Sequence, residues 1–188
     1  NTTTGAITQT GFSVNSTGQL ISLGNRKIQT FAISLANTNA AAVTYGDNDV
    51  LVELGELNTE HPDALVTASK FFIHKVVIGI TTAAASDSNS IANLQLSATS
   101  GTATNTGIAS GTEIVGAGVA SFNPRISATD TVTEVDIDLD ATAGNFHVFA
   151  PNISAPIASK HLYMCAGDAC DTALTAFRGT LEIEYSVY

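Results

Sequence analysis

The 188-residue chain has no tryptophan, one methionine, two cysteines, four prolines and only seven Lys or Arg residues against 17 Asp or Glu. So few cations leave no basic face to displace counterions from a phosphate backbone. With a formal charge of −10, nucleic acid is not an expected partner. Without tryptophan, the amphipathic aromatics are Tyr45, Tyr163, Tyr185 and Tyr188, a weak basis for the stacking platform of a carbohydrate-binding module. Long apolar runs are also missing. The most apolar stretch, Phe71 to Ala85, is broken by His74 and Lys75 and falls short of the ~20 residues of a spanning helix, so no membrane partner is expected. The opening NTTTGAITQT lacks the basic start and apolar run of a signal peptide, and the start on Asn1 without an initiator methionine reads as a removal, whether by a protease, a signal peptidase or the numbering. Charged residues make up 13%, about half the usual share, while apolar residues at 44% are near the globular norm. A body of this length buries roughly 70% of its extended-chain surface, enough for a core without metals or staples.

Helical periodicity is nearly absent, and Asp63 to Ser69 and Thr172 to Phe177 are the best short helical stretches. Alternation of period two is plentiful. In Arg178 to Tyr188 the residues Leu181, Ile183, Tyr185 and Val187 fall on one face and Glu182, Glu184, Ser186 and Tyr188 on the other. Phe31, Ile33 and Leu35 form a second such row, and Thr131 to Asp140 a third with an acidic outer face. Lys70 to Ile80, apolar on both faces, reads as a central strand covered from two sides. Further strands are expected at Ile7 to Val14, Gln19 to Leu23, Ala41 to Tyr45, Val50 to Leu54, Asn93 to Ala98, Glu113 to Val119, Asn145 to Ala150 and Lys160 to Cys165. The expected fold is all-β, an antiparallel β-sandwich of jelly-roll or immunoglobulin-like type with an extended N-terminal segment. Residues 1–60 would supply N-terminal strands, or an arm packing on the core or on a neighbouring subunit; residues 61–188 would form the sandwich. The Ser/Thr/Gly tract from Ser97 to Gly111 reads as an exposed, mobile loop.

No constellation with a defined chemistry emerges. Asp136, Asp138 and Asp140 begin like a calcium loop, but Ala141 stands where glycine is required and His147 where a bidentate carboxylate belongs. They read as a solvated strand face, and Asp47-Asn48-Asp49 as a turn. Ser110 is offset from a nucleophile elbow. His61, His74, His147 and His161 are scattered, with His74 expected as a hydrogen-bonded core histidine. Glu182 and Glu184 share a strand face and read as exposed polar residues rather than an acid/base pair. Asn1, Asn15 and Asn152 open triplets of the glycosylation pattern, frequent by chance in such a chain. Catalytic residues, metal ligands and cofactors are all expected to be none. Cys165 and Cys170 frame a loop with Gly167-Asp168 at its middle, so they either close a hairpin disulfide worth roughly 2 kcal/mol or remain two free thiols. A zinc site would need two further ligands, and none stands at suitable spacing.

Three segments carry a resemblance: Lys75 to Ile80; Asp136 to Asp140 leading into Ala143 to Ala150; and the closing Arg178 to Tyr188. Over residues 70 to 188 the chain resembles virion structural proteins of tailed bacteriophages, in particular the small β-rich capsid decoration or cement proteins of cyanophage-like phages. The resemblance implies a non-enzymatic subunit on the exterior of the phage head. It would stabilise the shell by binding the major capsid protein and copies of itself, as a homotrimer. A surface of Ser, Thr, Asn, Ala and Gly suits that role, because burying it costs little side-chain entropy or charge desolvation. The alternatives are an extracellular subunit of a secreted filament or pilus assembled by strand addition through Asn1 to Val14, and a polysaccharide-acting or carbohydrate-binding sandwich.

Overall fold

A computed structural model describes residues 12–14, 20–23, 26–35, 45–60, 70–82, 91–103, 106–108, 111–116, 121–122, 137–138, 146–151, 157–167 and 177–187. Among these residues the protein is all-β, with no helix. Its strands are β1 (Phe12–Val14), β2 (Leu20–Leu23), β3 (Arg26–Ser34), β4 (Val50–Glu56), β5 (Phe71–Thr82), β6 (Ile91–Ser97), β7 (Thr112–Val115), β8 (Ser121–Phe122), β9 (Ile137–Asp138), β10 (Phe146–Pro151), β11 (His161–Ala166) and β12 (Arg178–Val187). Asp63 to Ser69, Thr172 to Ala176, and most of Ala41 to Tyr45 and Thr131 to Asp140 lie outside the described residues.

Two antiparallel sheets carry the fold. The first has the order β3-β12-β5-β10-β8; the second has the order β4-β11-β6-β7, with β9 also pairing β6. A hairpin of β1 and β2 stands apart. The pairings are nested: β3 with β12, β4 with β11, β5 with β10, and β6 with β7. The chain therefore closes like one long hairpin folded over on itself, and β3 and β4, from the first sixty residues, are members of the two sheets.

Alternation explains which faces meet. Leu181, Ile183, Tyr185 and Val187 of β12 are all buried, as are Phe31 and Ile33 of β3. They join Leu94 and Leu96 of β6 and Leu162 and Met164 of β11 in one apolar cluster shared by both sheets, the packing of a β-sandwich. Burying each such side chain contributes about 1.5–3 kcal/mol. Phe31 lies against Gly55, whose φ of 138° and missing side chain let the ring approach the β4 backbone.

β5 is the middle strand of its sheet, yet its apolar character on two faces has a different origin from the covering expected of it. The ladder with β12 pairs Glu184 with Lys75 but Tyr185 with Ile73, so a bulge falls at His74. Phe71 and Ile73 point inward before it and Val76, Ile78 and Ile80 after it. The strands buried on both faces are β6 and β11, where every residue but the first of β6 is buried.

Candidate functional site

The outward side chains of β6 and β11 are Asn93, Gln95 and Ser97, and His161, Tyr163 and Cys165, and all six are buried. Two connections cover them: the turn Gly46 to Asp49 and the tract after Ser97. Asp47-Asn48-Asp49 is a turn, as its composition indicates. Asp49 N–H donates to the Gly46 carbonyl at 3.1 Å, and the Asp49 carboxylate accepts Gly46 N–H at 2.7 Å. Asn48 takes a left-handed φ of 65°, a conformation its short polar side chain tolerates. Asn48 Oδ1 then accepts from Asn93 Nδ2 at 2.9 Å and Gln95 Nε2 at 2.6 Å, satisfying two amides that would be costly to bury alone.

The described part of the Ser/Thr/Gly tract is largely exposed, as expected, and is hydrogen-bonded to the sheet. Tyr163 Oη donates to the Thr99 carbonyl at 2.8 Å, Gly101 N–H donates to Glu53 Oε2 at 2.8 Å, and Thr99 N–H donates to Ser97 Oγ at 3.1 Å. Farther on, Val50 N–H donates to the Thr106 carbonyl, and Ile108 packs on Val50, Tyr163 and Cys165. Low-complexity composition concealed this docking, because apart from Ser97 Oγ and Ile108 the tract's anchors are backbone groups.

His161 lies at the end of this layer. Its Nδ1 is buried without a hydrogen bond and stands 3.5 Å from both Glu53 Oε1 and Glu56 Oε1, while Glu56 also binds Lys160 at 2.7 Å. The Lys160 bond holds the Glu56 carboxyl below its ordinary value. Cys165 is a buried free thiol, pushed up to about 12 chiefly by burial, so it is a poor nucleophile. Cys170 lies outside the described residues.

A second juxtaposition, invisible in the sequence, is on the outer face of the first sheet. His74 is not in the core: the bulge turns it outward, where Nε2 meets Ser186 Oγ at 2.7 Å beside the Phe72 ring. Burial, then the Arg26 charge, pushes its pKa down. Ser186 itself is buried, and the pair bridges β5 and β12 across the irregular ladder. Glu182 and Glu184 flank it half-buried, Glu184 bound to Arg26 at 2.8 Å.

The other expected positions are spread out. His147 stacks on Phe149 on β10, and Ile137 is buried where β9 pairs β6. Asp136, Asp140, Ser110, His61, Tyr188 and the three glycosylation-pattern asparagines lie outside the described residues. Tyr163 and Tyr185 are buried and Tyr45 half-buried, so none of the described tyrosines is an exposed platform. Among the described residues no three His, Cys, Asp or Glu side chains are placed to hold a metal ion. Comparison with protein-family models, curated proteins and solved structures finds no match.

Proposed function

We propose that this chain is a structural subunit of a phage virion, a capsid decoration or cement protein whose sandwich is a jelly roll bound to major capsid subunits and to its own copies. The nested pairing of β3 with β12, β4 with β11, β5 with β10 and β6 with β7 carries the reading. An eight-strand hairpin rolled into two four-stranded sheets is the jelly-roll plan, recurrent in viral shells, and it favours that plan over the immunoglobulin-like order. The covered outer face of the second sheet supports the same reading. Asn93, Gln95, Ser97 and Tyr163 on it are spent on fixing loops, as suits a rigid presenting surface rather than an open catalytic cleft. The low charge suits permanent burial against neighbours.

Immunogold electron microscopy of particles from the native source, using antibodies to the purified chain, tests the proposal. Label on the exterior of icosahedral heads is the expected result. Label along fibres would favour the filament reading, for which the edge of β3 that no second described strand pairs is the relevant observation; a soluble, particle-free antigen would overturn both.

A further inference from the structure

We propose that two copies of this chain pair through the edge of β3, antiparallel about Thr30, to make one continuous sheet across a twofold axis. Among the described residues β3 pairs only with β12 and so ends its sheet. Leu35 N–H donates to the Phe177 carbonyl at 2.9 Å, in register with the β3–β12 ladder. In an antiparallel ladder hydrogen-bonded and non-bonded positions alternate. Odd residues of β3 therefore turn their N–H and C=O to β12, and Arg26, Ile28, Thr30, Ala32 and Ser34 turn theirs to the open edge. The same five residues are the exposed ones, including Ile28 at 66%.

A row of outward donors and acceptors can be satisfied by a strand, and several features point to a second β3. The strand has no proline to block pairing. It has no carboxylate either, so two chains of charge −10 can meet here without setting acid against acid. Pairing Thr30 with Thr30 of the second copy uses the full strand and sets Ile28 opposite Ala32 and Arg26 opposite Ser34. The two Arg26 side chains then lie about 27 Å apart at ~3.4 Å per residue, beyond the ~8–10 Å screening length. Each is also neutralised by its own Glu184 at 2.8 Å. Each exposed Ile28 gains a small neighbour and Thr30 gains a favourable Thr–Thr pair. Such an interface is isologous and closes at two copies.

The proposal is independent of the virion reading, since the purified full chain suffices to test it. Sedimentation should show a concentration-dependent dimer. Thr30→Cys should give a symmetric disulfide-linked dimer on mild oxidation; Ile28→Cys should do so only when combined with Ala32→Cys. Thr30→Pro removes a donor that β12 does not use, so it should yield a folded monomer; Ile28→Lys, on the solvent side, gives the same readout should the proline variant not fold. A wild-type monomer at hundreds of micromolar, a dimer indifferent to these changes, or cross-linking by Ile28→Cys alone would overturn it.

Discussion

The hydroxyl of Tyr163, a fully buried residue of β11, donates to the Thr99 carbonyl at 2.8 Å and accepts Thr102 N–H at 3.4 Å. One side chain thereby bonds two backbone groups of the loop, beside the bond from Gly101 N–H to Glu53. Tyr163→Phe keeps the ring and removes both bonds, at an expected cost of about 1–2 kcal/mol. The loss should be local: hydrogen exchange at residues 99–102 should accelerate while β5 and β12 stay protected, and uniform acceleration would show that the loop is integral to global stability.

Asn48 supplies a left-handed backbone and the acceptor for two buried amides. These contributions separate by substitution. Asn48→Gly loses the acceptor alone and should destabilise by about 1–2 kcal/mol, since Asn93 Nδ2 still donates to the Ala166 carbonyl and Gln95 Nε2 to Asn93 Oδ1. Asn48→Ala adds about 1 kcal/mol of left-handed strain. Urea titration of both variants checks the order; equal losses would mean the backbone relaxes out of the left-handed region.

Gly79 and Gly179 face each other's strands but differ in what surrounds them. A Cβ at Gly179 would come within 2.7 Å of the Gly79 carbonyl oxygen, which the ladder holds in place. At Gly79 it would come within 2.9 Å of the Phe146 ring, a side chain that is 52% exposed rather than a backbone atom of the ladder. Gly179→Ala should therefore lower stability by about 1–3 kcal/mol as overpacking does, and Gly79→Ala by much less. Thermal melts of the two proteins decide the point, and a larger loss at Gly79 would reverse the assignment.

These residues mark how far the sequence could be read. The inward row of β12 was legible because alternation runs through Leu181, Ile183, Tyr185 and Val187 without interruption. β5 was legible as a strand but not in its facing, since the bulge at His74 resets the alternation and leaves a pattern that mimics a strand covered on two sides. On β6 the polar residues Asn93, Gln95 and Ser97 look solvent-facing by composition; only the fold brings Asn48 and the tract after Ser97 over them. The nested strand order and the approach of His161 to Glu53 and Glu56 depend on contacts between residues far apart in the chain, which no local pattern encodes.

Cys165 yields the last prediction. Its thiol is buried among Val50, Tyr163 and Ile108, and burial, with Asp49 and Glu113 adding to it, raises its pKa from 9.0 to about 12. The folded chain keeps the proton that the unfolded chain releases near pH 9. Its contribution to stability is thus complete below that pH and is lost as the pH rises toward 12. Under reducing conditions, wild type should lose stability more steeply than Cys165→Ala between pH 9 and the folded value. Iodoacetamide at pH 8 should spare Cys165 until denaturant is added, as intact-mass and peptide analysis would show. Where the protein is oxidised, pairing with Cys170 closes a ring of six residues, and replacing both cysteines by serine should cost no more than roughly 2 kcal/mol. Rapid labelling of native Cys165 would show that the covering loop opens readily, and a Cys165-linked dimer on non-reducing gels would rule out pairing within one chain.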